Sequence, residues 1–239
     1  MPNDVFEFKK FRIKQNKCAM KVGTDAVLLG SWVSVEGCKR VLDIGTGTGI
    51  IALMLAQKTS AHITALEIDQ ASFEQASDNV NESNYKGQIS VINKAFQDYW
   101  IADKEKFDLI VSNPPYFIDS LKSNDTNRST ARHADVLPFN ELIEGVNGIL
   151  SPTGKLCLIL PKKEAEYFCK LAEQKNLYLS KLLRVRNSPD KEEDKRHIMQ
   201  FSFGKHHFTE EILYIRTTSI PQEYSPEYKH LTMDYYMHF

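Results

Sequence analysis

Short apolar runs alternate with longer amphipathic stretches through the middle of the chain. Residues 41–44 (Val-Leu-Asp-Ile) form one such run, and a glycine-rich turn separates it from a helical stretch over residues 50–58. His62–Glu67, Ile89–Asn93 and Phe107–Ser112 repeat the strand-length pattern, and residues 155–160 do so once more before Pro161. Between them, residues 70–83 behind Asp69, residues 138–150 with proline in the first turn, and Lys162–Gln174 carry helical spacing. Strands and helices that alternate with so little slack predict βαβ units and a mostly parallel, doubly wound sheet. Leu177–Arg186 and residues 197–204 and 211–217 then read as strands joined by charged or turn-rich linkers, forming an antiparallel edge on that sheet.

The start of the chain follows another pattern. Phe6 and Phe8, then Phe11 and Ile13, alternate with polar residues, which predicts a short hairpin-like arm. The arm is basic, with Lys9, Lys10, Arg12, Lys14 and Lys17 set among the aromatics. Residues 24–33 follow as a short helix with Thr24 or Asp25 as its N-cap. No internal repeat or low-complexity tract interrupts the sequence, so 1–239 is expected to be one domain, with 1–22 as its arm.

Composition narrows the classes. Of 239 residues, 42% are hydrophobic, enough to bury a core, and no apolar stretch reaches the length that crosses a bilayer. The first residues lack the charged-then-apolar layout of a secretory leader, and the four cysteines lack CxxC pairing. A reduced, cytoplasmic protein without a metal site is expected, and a monomer is favoured. The net charge of −1 means that any nucleic-acid contact must come from a local patch such as the arm. A solvated basic strand face is the plainer use of such an arm.

The turn Asp43-Ile44-Gly45-Thr46-Gly47-Thr48-Gly49 lies where open α/β sheets bind ligands, at the carboxyl end of a strand. Glycine lets the backbone turn tightly and lets a ligand approach main-chain N–H groups without meeting a Cβ. A dinucleotide fingerprint needs a small residue where Ile50 stands, which argues against a dehydrogenase. The spacing instead resembles motif I of the class I S-adenosylmethionine-dependent methyltransferases. That resemblance implies a Rossmann-like, seven-stranded, mostly parallel sheet with an antiparallel edge strand. It also implies that Gly45, Thr46, Gly47 and Gly49 face the amino-acid end of the cofactor, with Asp43 acting on its ammonium. Glu67, ending the next strand, would accept from both ribose hydroxyls, Ile68 would pack on the adenine, and Phe96 and Asp98 would cradle it.

Asn113-Pro114-Pro115-Tyr116 directly follows the fourth strand and matches the (D/N)PP(Y/F/W) motif of enzymes that methylate nitrogens on planar groups. An aryl amine is a poor nucleophile because its lone pair is delocalised into the ring. The Asn113 side-chain carbonyl and the Pro114 backbone carbonyl would accept its hydrogens and aim the lone pair. Pro114 and Pro115 stiffen the turn, and Tyr116 offers a flat face for stacking.

The segment Lys21-Val22-Gly23-Thr24-Asp25-Ala26-Val27-Leu28-Leu29-Gly30 is similar to the KVGTDxxLLG stretch of the bacterial tRNA1(Val) adenine-37 N6-methyltransferase family. Ser112 to Phe117, Ala131-Arg132-His133 and Tyr224 to Tyr228 carry the resemblance along nearly the whole chain, while Ala26 departs from the family's usual glycine. The resemblance implies methylation of exocyclic N6 of an adenine beside the anticodon, in a loop whose bases are splayed without melting a duplex. Lys21, Gly23, Thr24 and Asn113 would line the cofactor site. Lys9, Lys10, Arg12 and Lys14 of the arm, with Arg128, Arg132 and His133 behind the Asn-Pro-Pro-Tyr turn, would meet the RNA. Three alternatives stay open at this level: a glutamine-N5 methyltransferase of a release factor, a guanine-N2 methyltransferase of ribosomal RNA, and an RNA-binding module that keeps only the fold.

Overall fold

The computed structural model of the chain describes residues 4–18, 20–102, 105–115, 137–205, 207–218 and 223–238. Strands β1 (Val5–Glu7) and β2 (Arg12–Lys14) pair as the expected antiparallel hairpin. Helix α1 (Thr24–Trp32) leads to β3 (Arg40–Ile44), α2 (Ile50–Ala56) and β4 (His62–Glu67). Next come α3 (Gln70–Asn81), β5 (Ile89–Asn93), α4 (Phe96–Ala102) and β6 (Phe107–Ser112). After the Asn-Pro-Pro turn the described chain resumes with α5 (Phe139–Ile149), β7 (Leu150–Leu160), α6 (Lys162–Gln174) and β8 (Leu177–Arg186). Strands β9 (Arg196–Phe203) and β10 (Thr209–Tyr214) and the short helix α7 (Pro226–Thr232) complete it.

The central sheet runs β10-β8-β9-β7-β6-β3-β4-β5, and β9 is antiparallel to both neighbours. The architecture is the expected Rossmann-like, doubly wound one, with two corrections. The sheet has eight strands, not seven, and its antiparallel strand lies inside the sheet while the parallel β10 forms the edge. Burial explains the order. His197 to Ser202 of β9 are all buried and need cover on both faces, whereas Thr209 to Ile212 of β10 are exposed and suit an edge. Two smaller corrections concern ends: Gly23, not Thr24 or Asp25, caps α1, and β7 begins at Leu150.

Two devices hold the pieces around the site. Lys58 reaches back to donate to the carbonyls of Gly30, Ser31 and Val33 at 2.6–3.0 Å, closing the end of α1. Burial pushes its ammonium down to about 8, with Asp234 pulling the other way. The arm packs Phe8, Phe11 and Ile13 into the core and bridges to Tyr236, while the buried Tyr235 donates to the Met54 carbonyl at 3.0 Å. Tyr235 belongs to the core and Tyr236 packs against it, so these tail aromatics serve packing; Phe239 lies outside the described residues.

Helix α5 seats on α4 through a glycine. A Cβ at Gly145 would lie 2.4 Å from Phe96 Cε1 and 2.6 Å from Trp100 Cδ1, both rigid ring atoms. Gly145→Ala is therefore expected to destabilise the fold by about 1–2 kcal/mol, overpacking outweighing the gain in helix propensity. A denaturant midpoint at or above the wild-type value would show that the rings yield.

Candidate active site at the carboxyl edge of the sheet

Three strands end side by side, and their turns make the site. Ile44 of β3 pairs in register with Leu66 of β4 on one side and Ser112 of β6 on the other. The glycine-rich turn, Glu67 and the Asn113-Pro114-Pro115 turn therefore leave the sheet at one level. The Ser112 hydroxyl donates to the Ile44 carbonyl at 3.0 Å and locks the two turns together. Asn113 is half-buried, Pro114 buried and Pro115 exposed, while Tyr116 lies outside the described residues.

Gly45, Gly47 and Gly49 all have left-handed backbones, with φ of 70°, 58° and 82°. An L side chain is strained at each, which explains why glycine recurs at every second position. The amides of Gly45 and Thr46 donate to the Leu66 carbonyl at 3.0 and 2.9 Å, and that of Gly47 donates to Glu67 Oε2 at 2.8 Å. Above Gly45 and Gly47 a Cβ would meet no atom within 4 Å, so the turn presents bare backbone to open space. Glu67 is only 8% exposed, and its Oε1 accepts from the Asp69 amide at 3.0 Å. Each carboxylate oxygen retains a further lone pair for a donor from outside.

Asp43 is fully buried at the base of this turn. Its Oδ2 accepts from the Thr46 hydroxyl at 2.5 Å, and its Oδ1 has no hydrogen-bond partner. Burial pushes its carboxyl up to about 7; the Thr46 hydroxyl and the Ala52 amide pull it down, and the Glu67 charge adds to the rise. An orphaned buried acceptor beside an open glycine cradle fits the ammonium end of an amino-acid-bearing ligand. Ile68, 44% exposed beside Glu67, fits the face of a planar base. The residues present thus suit S-adenosylmethionine.

The other expected contacts divide. Lys21, Gly23 and Thr24 are exposed at the start of α1, and Asp25 there pairs with Arg196 of β9 at 2.6 Å. Asp98 is exposed in the first turn of α4. Phe96 is buried with its ring against Gly145 of α5, so the aromatic face offered to the adenine in the sequence reading is engaged in core packing. In the arm, Arg12 and Lys14 both meet Glu82, Lys17 meets Asp78 at 2.9 Å, and Lys9 donates to the Met233 carbonyl. Lys10 is exposed. Arg128, Arg132 and His133 fall outside the described residues.

A set of amides went unread in the sequence. Gln75 and Asn79, one helical turn apart on the buried face of α3, bond backbone groups of the arm, and Asn79 also bonds the Thr48 carbonyl of the glycine turn. Their signal was two amides at positions i and i+4 beside Ala76 and Val80, where an apolar stripe is the norm.

No helix among the described residues is long and apolar enough to cross a membrane, and no cluster of three metal-ligating side chains occurs among them. Residues 18–174 match the family described as methyltransferase small domain. A tRNA1(Val) (adenine(37)-N6)-methyltransferase of Bacteroides thetaiotaomicron is 45% identical over 240 residues, covering 100% of this chain and 99% of the relative. One of Bacteroides fragilis is 44% identical, covering 99% of each. Among solved structures, a predicted O-methyltransferase of Agrobacterium tumefaciens superposes with a TM-score of 0.68 at 18% identity, over 88% of this chain and 96% of that one. That last likeness is one of fold.

Proposed function

We propose a reaction for this chain, which belongs to the tRNA1(Val) (adenine(37)-N6)-methyltransferase family: transfer of a methyl group to exocyclic N6 of an adenine in tRNA, namely adenine 37 of tRNA1(Val). Relatives bearing that name align over essentially the whole chain. The observation that carries the reading is the register of Ile44 with Ser112, which sets the Asn-Pro-Pro turn beside the glycine turn. When bound, S-adenosylmethionine supplies a methyl group on an electron-poor sulfonium. Asp43 holds the ammonium end of this cofactor, Glu67 its ribose, and Ile68 and Asp98 its base.

Asn113 and Pro114 accept the two amine hydrogens of adenine with their carbonyl oxygens. Those bonds localise the nitrogen lone pair, orient it and favour the charge that grows on nitrogen. The neutral amide of Asn113 leaves no fixed negative charge beside the cofactor, and the prolines add no competing N–H. No strong base is required, because the methylated ammonium is acidic enough to release its proton to water. Tyr116 stacks on the base.

Arm residues Lys9, Lys10, Arg12 and Lys14 track RNA phosphates together with Arg128, Arg132 and His133. The arm's pairs with Glu82 and Asp78 are exposed and screened by solvent, so phosphate can displace them. The chain acts as a single cytoplasmic domain, monomeric, with 1–22 as its arm.

Incubation with tRNA that lacks modifications, then digestion to nucleosides, is expected to yield N6-methyladenosine at one position per tRNA1(Val). Methylated protein that resists nuclease, or N2-methylguanosine, would replace this reading with one of the other nitrogen targets.

A further inference from the structure

The segment between β2 and α1 is tied down by side-chain amides that act as backbone surrogates. Asn79 accepts from the Lys14 amide at 2.9 Å and donates to the Lys14 carbonyl at 2.9 Å, as a neighbouring strand would. The same Nδ2 donates to the Thr48 carbonyl inside the glycine turn at 2.8 Å. One turn earlier, Gln75 Oε1 accepts from the Lys17 amide at 3.0 Å. Gln15, also buried, closes the segment on itself by accepting from the Val22 amide at 2.8 Å. Asn79 and Gln75 are 3% and 1% exposed, so their amide groups are costly to leave unpaired. Past these anchors the Cys18 thiol meets Ser72 of α3, within electrostatic reach of Glu67 and Asp69.

We propose that Asn79 and Gln75 are positioning residues for cofactor binding: they clamp residues 14–18 against α3 as one wall of the cofactor cleft, and Asn79, through Thr48, fixes the glycine turn in its ligand-ready shape. The arm then serves the cofactor as well as the RNA. The turn needs such a brace because three left-handed residues in five leave its backbone with many alternatives, and only one of them opens the cradle over Gly45 and Gly47. The assignment of the cleft to S-adenosylmethionine rests on the function proposed above; the clamp itself does not.

Two measurements separate the two ideas. In the cofactor-free protein, Asn79→Ala is expected to speed amide hydrogen exchange at residues 14–17 and at 45–49 together, two stretches far apart in sequence. Titration calorimetry is expected to show affinity for S-adenosylmethionine falling about tenfold or more, the equivalent of one to two lost hydrogen bonds. The KM for cofactor is expected to rise while kcat at saturating cofactor and saturating tRNA stays near wild type, a split that general loosening would not produce. Asn79→Asp keeps the acceptor for the Lys14 amide but loses both donations, so it is expected not to rescue. Gln75→Leu, which frees the arm alone, is expected to weaken cofactor binding less, and Gln75→Glu, which keeps the acceptor, to restore it. Should Asn79→Ala not fold, Gln75→Leu tests the arm wall alone: faster exchange at residues 14–17 with weaker cofactor affinity supports it, and unchanged affinity overturns it.

Unchanged cofactor affinity in a folded Asn79→Ala, or exchange that rises at only one of the two stretches, would overturn the clamp. A wild-type protein that fails to bind S-adenosylmethionine would overturn the proposed function, and the exchange data would still decide the clamp.

Discussion

Replacing Asn113 with alanine is expected to lower kcat about a hundred- to a thousandfold while leaving cofactor affinity within about threefold of wild type. The side-chain carbonyl acts on the amine only as its lone pair is drawn out of the ring, so its loss falls on the chemical step. Asn113→Asp keeps an acceptor at the same reach and is expected to retain part of the activity, though its charge disturbs the cation beside it. The neighbouring Ser112 hydroxyl, which ties β6 to β3, is kept in both variants. Single-turnover methylation of unmodified tRNA, with calorimetric titration of the cofactor alongside, reads both quantities. Activity near wild type in Asn113→Ala would remove the lone-pair mechanism, whatever the substrate.

The parts of the site that could be read from sequence are those whose chemistry is local. Asp43, the three glycines and Glu67 sit at strand ends that apolar runs mark sharply, and β4, β5 and β6 begin and end where those runs do. Glycine at every second position is a backbone requirement written directly into the chain. What failed to show depended on distant partners. Gln75 and Asn79 bond backbone amides and carbonyls 31 to 65 residues away, and backbone groups leave no trace in composition. Phe96 follows β5, where sequence alone points to a cofactor contact, yet Gly145, some fifty residues on, opens the space that buries it. The order of the last strands escaped for a similar reason: β9 and β10 have similar lengths, and only the full burial of one and exposure of the other decide which is internal. Helix α7 is about two turns long, and its clearest mark is the Ser225 cap ahead of Pro226.

Asp43 supplies the second large effect, because its protonation and its ligand compete. In the cofactor-free fold its carboxyl is held at about 7, against an unfolded value near 3.8. A carboxyl raised on folding binds more protons in the native state, so its contribution to stability is complete below about pH 4 and is lost as pH rises to about 7. A cation at Oδ1 reverses the preference, since the ionised form then gains a partner. Binding therefore expels a proton below pH 7, and cofactor affinity is expected to rise up to about tenfold per pH unit from pH 5.5 to 7 and then level off. Asp43→Asn removes the titration. It is expected to bind about ten- to a hundredfold more weakly at pH 8, the worth of one charge-assisted hydrogen bond, with a flatter pH profile. Its cofactor-free form is expected to lose less stability than wild type between pH 5 and 8, because the amide does not ionise under burial. Parallel pH profiles of affinity for the two proteins would mean that the ammonium binds elsewhere, and that the orphaned oxygen of Asp43 serves the fold alone.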